Sequence, residues 1–157
     1  MSRIVKCLTI ACALMVPAST IQAADANEKA INARKGLMQA IVHQMGGLGA
    51  MAKGKMDYDA ERAKVWAANL DLLARVNQRS MWPPGSGSDA YPGKTRALPD
   101  IWSTYPKVAE KNADFAKAAA NLATTAGDGL EALQMGMRAV GKSCGGCHKP
   151  FRAAKKK

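Results

Sequence analysis

A chain of 157 residues has the size of one domain and is long enough to bury a sizeable core. A formal charge of +11 keeps it soluble and favours acidic partners. Few aromatic residues and no recognition motif argue against nucleic acid as a partner.

The first segment reads as an export signal rather than as part of the domain. Arg3 and Lys6 form a positive start, and Cys7 to Val16 is an apolar run too short to span a bilayer as a helix. Pro17 and the small residues 18–24 follow, so cleavage is expected after Ala23, with 24–157 as the mature domain. Losing residues 1–23 removes two bases and no acid, which lowers the charge to +9. It also removes Cys7 and Cys12, so the remaining pair, Cys144 and Cys147, is not a disulfide framework. No other stretch is apolar and long enough to cross a membrane.

Four helices are expected next, and no strand. In residues 27–53 the apolar Ile31, Leu37, Met38, Ile41, Val42, Met45, Leu48 and Met51 recur at helical spacing, with Gly54 as the stop. Residues 58–76 form the second helix, capped by Asp57, with Val65, Trp66, Leu70, Leu72, Leu73 and Val76 on its apolar side. Residues 80–100 then hold four of the seven prolines, and a loop that long in a bundle is often functional or packed over a site. A third helix spans about 100–125, irregular at its start because of Pro106, and a fourth spans about 129–149, where Pro150 ends or kinks it. Two short connections and one long one make this an all-α, antiparallel four-helix bundle. The cluster Gly46, Gly47 and Gly49 points to close approach of another helix or a partner subunit, or to a local kink.

The chemistry lies in Cys144-Gly145-Gly146-Cys147-His148. Thiols three residues apart lie on nearly one side of a helix turn and can both add to the two vinyl groups on one haem edge. The next residue projects its imidazole toward the iron, and the glycines leave the porphyrin unobstructed. Cys-x-x-Cys-His is therefore a c-type haem attachment motif. A structural zinc needs four protein ligands, and beyond this motif only His43 is at hand. A thioredoxin-like redox pair lacks its βαβ pattern, and a chance match in a plain bundle is the remaining alternative.

With that motif at the end of a fourth helix, residues 27–152 resemble the cytochrome c′ family, the class II c-type cytochromes. The resemblance rests on residues 142–152 (KSCGGCHKPFR), on 34–38 (RKGLM) followed by 46–55 (GGLGAMAKGK), and on 98–102 (LPDIW). It implies one haem c bound through Cys144 and Cys147, His148 as the proximal axial ligand, and Arg152 near that proximal face. It further implies Arg34 pairing with a haem propionate and Met38 facing the distal side of the iron. Some members bind methionine there as a sixth ligand, whereas others leave the site five-coordinate under an apolar side chain. Met38 alone leaves both open, and Arg34 leans toward the five-coordinate type. His43, 140° round the helix from Met38, is read as a surface residue.

Two functions are therefore expected of an exported, periplasmic protein. One is one-electron transfer, with the basic surface docking an acidic redox partner. The other is binding of NO or CO at an apolar distal site. An enzyme such as a peroxidase is not expected, since the first helix offers only Met38 on the iron-facing side and no distal acid or base. The family's habit of pairing through its first two helices, with the glycine cluster, implies a homodimer.

Overall fold

The computed structural model describes residues 18–155, with side chains from residue 26 onward. Residues 1–17 of the expected export segment lie outside the described residues, and the expected cleavage point falls within the first helix. That helix, α1, is Ala18–Ala52. It stops as glycine dictates: Gly54 adopts φ +66°, its N–H bonds Met51 O at 3.0 Å, and the Lys55 N–H reaches back to Ala50 O at 2.8 Å. These two bonds satisfy carbonyls that the helix end would otherwise leave orphaned.

Helix α2, Ala60–Ala74, begins two residues later than the sequence suggested, and its cap is Asp59 rather than Asp57. Asp59 has extended backbone, and its carboxylate accepts from the Arg62 N–H at 2.9 Å. Its buried stripe is Ala63, Ala67, Leu70 and Ala74, while Val65 and Leu72 face outward. The apolar periodicity therefore held for Leu70, Trp66, Leu73 and Val76, which lie in or against the core, and failed for Val65 and Leu72; it missed the alanines, whose small side chains allow a closer approach of neighbouring helices. Val42 of α1 is likewise exposed.

The expected third helix is two pieces, α3 (Asp100–Ser103) and α4 (Tyr105–Thr125), broken at Thr104 with φ −123° and ψ 35°. Pro106 explains the break, since its ring clashes with the carbonyl four residues earlier and it offers no N–H to continue the ladder. Helix α5, Leu130–Phe151, runs past Pro150 to Phe151.

α1, α2, α4 and α5 pack in a closed ring, each against two neighbours, which makes the four-helix bundle. Its main core joins Leu37, Ile41, Leu48 and Met51 of α1 to Leu70, Leu122, Leu133 and Val140 from the other three. Gly47 permits the α1–α2 approach: a Cβ there would lie 2.3 Å from the Trp66 ring. Gly46 has open space instead, and α1 runs unbroken through the cluster. A second, smaller cluster of Ala97, Ile101 and Phe151 sits at the other end of α5 with Trp82, Trp102 and Val108. No helix among the described residues is long and apolar enough to cross a membrane.

Candidate haem site

The site begins with where α5 puts its last turns. Cys144 packs against the main core and Cys147 against the second cluster, so the two thiols lie between two apolar bodies. Both are free and half-buried. Burial is the chief cause that pushes both thiols above the usual cysteine range; for Cys147 the neighbouring Cys144 adds to it, while Lys111 and Arg152 oppose it. A Cβ at Gly145 or Gly146 would meet only the flexible ends of Lys149 or Lys111, so this face of the helix is bare. Two unpaired thiols, an apolar setting and an unobstructed helix face fit a covalently bound porphyrin.

His148 follows on the same turn. Burial lowers its proton affinity first, then the charges of Arg152 and Arg96. Neutral imidazole is the form that can bind a metal. Arg96, Lys149 and Arg152 line one open cleft with His148 and Gly145. Arg152 thus lies beside His148. Arg96 was not expected, because nothing in the sequence links position 96 to position 152. The link is backbone pairing: Ala97 and Arg152 form an antiparallel bridge, the Leu98 N–H bonds Phe151 O at 3.0 Å, and the Ala153 N–H bonds Arg96 O at 2.8 Å.

Met38 and Arg34 lie one turn apart on α1. Met38 is half-buried against the same core as Cys144. It also lines a shallow cleft with Gln39, Val42 and the exposed His43. Arg34 is only 3% exposed, and burial pushes its pKa down from the usual arginine value. Its Nη1 donates to Met81 O at 3.0 Å and to Ser86 Oγ at 2.8 Å; its Nη2 donates to Ser86 O and, at 3.3 Å, to Thr95 Oγ1. The guanidinium also lies over Trp82, 4.5 Å from the ring centroid. Four of its five N–H groups therefore serve the long loop, whose Ser86 is fully buried. The loop's proline and glycine content marked it for attention, but its partner could not be read from spacing.

A Cys-x-x-Cys-His motif on the last turns of a four-helix bundle, set between two apolar clusters, defines a c-type cytochrome of the bundle class. Residues 29–152 match the family model described as cytochrome C′. A cytochrome c-554 of Cereibacter sphaeroides is 37% identical over 150 residues, covering 96% of this chain and 97% of the relative. A cytochrome c′ of the same organism is 37% identical over 137 residues, covering 87% and 90%. The solved cytochrome c′ of Rhodobacter sphaeroides superposes with a TM-score of 0.80 at 35% identity, over 82% of this chain and 98% of that one. The chain belongs to the cytochrome c′ family. It is a haem-binding cytochrome of the electron-transfer type, with haem c joined covalently to its C-terminal cysteine pair.

Proposed function

We propose that the protein is a periplasmic one-electron carrier. The observation that carries this reading is the pair of free thiols and the imidazole within five residues near the end of α5, flanked by Arg96, Lys111, Lys149 and Arg152. When bound, the haem supplies the one-electron couple. Cys144 and Cys147 would hold it through thioether links to its two vinyl groups. His148 would supply the proximal imidazole, with Arg152 beside it. Arg34, with its Nε–H beyond the four loop contacts, is the cation for a propionate. The cations around the motif present a positive face to an acidic redox partner. The residues expected as an export signal deliver the chain to the periplasm.

The test is attachment. Cys144→Ser and Cys147→Ser should each weaken haem retention, and the double change should release all haem on acid–acetone extraction. Haem that survives extraction from the double variant overturns the assignment. His148→Ala should change the optical spectrum strongly and His43→Ala hardly at all; the reverse ranking moves the ligand to His43. Mass spectrometry of periplasmic material should show a chain starting near Ala24 plus one haem, and a retained Met1 argues against export by cleavage.

A second reading is favoured by the half-buried Met38, the expected distal residue, beside an apolar cleft edge. In this reading Met38 packs over the iron without bonding, and NO or CO enters the distal side. A solved relative from Alcaligenes xylosoxidans, 27% identical with a TM-score of 0.72, is a nitric oxide complex of a variant cytochrome c prime. Met38→Ala separates the readings. If Met38 is a ligand, the ferrous spectrum moves from low to high spin. If it only packs, spin state stays and CO affinity rises.

The homodimer belongs here too. Val65 and Leu72 of α2 and Val42 of α1 are exposed apolar residues on the first two helices. One solved cytochrome c′, 25% identical with a TM-score of 0.75, is described by an unusual ligand-controlled dimer dissociation. Sedimentation at tens of micromolar should show a dimer, and Leu72→Lys should give a monomer. A wild-type monomer at that concentration ends the proposal.

A further inference from the structure

Arg34 does more in this fold than place one cation in a core. A buried arginine with four hydrogen bonds into one loop fixes that loop's position, because every lost contact would leave a buried donor or acceptor unpaired. The contacts do not end at the loop. Thr95 Oγ1, which accepts from Arg34, also accepts from the Ala97 N–H at 3.2 Å. Ala97 is bridged to Arg152, and Leu98 is bonded to Phe151 O. The Arg152 N–H bonds His148 O at 3.2 Å. A continuous hydrogen-bonded path thus runs from the helix carrying Met38, through the loop, to the turn carrying His148. The rings beside it tie the same parts together: Trp82 lies under the Arg34 guanidinium, and its carbonyl accepts from the Trp102 indole at 3.1 Å.

We propose that Arg34 is a positioning residue that fastens the 79–98 loop onto α1 and, through Thr95 and Ala97, sets the terminal turn of α5 that presents His148. Both faces of the haem site are then held by one latch rather than by independent contacts. This inference rests on the haem reading above. Haem covalently bound to Cys144 and Cys147, checked by mass in every variant, keeps a failure of that reading separate from a failure of this one.

The holoprotein test compares Arg34→Gln, Arg34→Lys and the double variant Ser86→Ala/Thr95→Val. Two readouts are used: amide exchange at Ala97, Leu98, Arg152 and Ala153, and the ferric EPR g-values, which report the axial field of the iron. The double variant leaves Arg34 and any propionate pairing intact and removes the loop's hydroxyls; it also removes the Ser86 bond to Pro83 O and the acceptor of the Ala97 N–H, so the deciding positions are Arg152 and Ala153. It should speed exchange by about a hundredfold, roughly tenfold for each of the two charged hydrogen bonds lost. The effect should reach Arg152 and Ala153 as well as the loop, and the g-values should move in the same direction as in Arg34→Gln. Arg34→Lys keeps the charge on one nitrogen but cannot span Met81, Ser86 and Thr95 together, so it should fall between wild type and Arg34→Gln. Faster exchange confined to residues 79–98 overturns the coupling. So does an EPR change in Arg34→Gln that the double variant lacks, or a wild-type result for Arg34→Lys. If Arg34→Gln does not fold, the double variant alone decides, because its exchange at residues 152 and 153 either rises or stays at the wild-type rate.

Discussion

The trunk of the bundle and its haem end are built on different physics. In the trunk, the core between the four long helices is apolar throughout, and the helices are held by fit: Ala63, Ala67, Ala74 and Ala119 are buried beside larger Leu70, Leu122 and Leu133. At the haem end the apolar cluster is small, and it lies beside a buried arginine, a buried serine and a run of backbone pairing between a loop and the chain's last turn. Packing stabilises through volume and tolerates little change of shape, whereas the polar end stabilises through satisfied donors and fixes direction. The difference shows which part is scaffold and which part can adjust a site.

Substitutions can break or sharpen that contrast. The largest effect is expected in the trunk: Leu133→Ala, at a fully buried position, should lower unfolding free energy by about 2–5 kcal/mol in denaturant titration and leave the haem spectrum unchanged. A large spectral change would mean that trunk and haem end are one unit. The neighbouring glycines give the next test. Gly47→Ala drives a methyl into the Trp66 ring and should cost about 1–3 kcal/mol, even after the gain in helix propensity. Gly46→Ala meets open space and should stabilise by up to about 1 kcal/mol. Equal effects from the two would remove the close-approach account.

Tyr58→Phe probes the trunk's few polar ties. The Tyr58 hydroxyl donates to Ala126 O at 2.9 Å and accepts from the Gly129 N–H at 3.0 Å, joining the start of α2 to the α4–α5 connection. Its loss should cost about 0.5–1.5 kcal/mol, read as a lower midpoint of thermal unfolding. The smallest effect belongs to the exposed pair Lys94–Glu28, 2.7 Å apart, between loop and α1. Lys94→Ala should change stability by about 0–1 kcal/mol, and less in high salt. A larger loss would place this pair beside Arg34 as a second fastening of the loop.

The sequence reading was most accurate where one local signal decides. Gly54 stops α1, Pro106 disrupts the start of the third helix, and five consecutive residues name the haem. It misread two positions of α2, because Val65 and Leu72 looked like core, and it missed Ala63, Ala67 and Ala74, which carry little hydrophobic signal. It placed the cap at Asp57 because two aspartates stand two residues apart, and only the observed backbone distinguishes them. The glycine cluster divided in the same way, with Gly47 serving the α1–α2 contact and Gly46 facing open space. The pairing of Arg96 with the last turn of α5, and of Arg34 with Ser86 and Thr95, joins residues some fifty or more apart in sequence. Periodicity has no access to such contacts, since they depend on how the long loop closes.

The bridge between residues 96–98 and 151–153 also bears on the order in which the molecule assembles. The strand-like edge at Ala97 has its partner only once Phe151 and Ala153 are in place, and those residues follow Cys144, Cys147 and His148 in the chain. Contacts so distant in sequence carry a loop-closure cost that helix pairing across short connections does not. The pairs α1–α2 and α4–α5, each joined by a short connection, can therefore gather while the loop and the turn beyond the cysteine segment are still apart. The end that holds the haem is the last to shut, which leaves the thiols reachable during the interval when the porphyrin has to be joined to them.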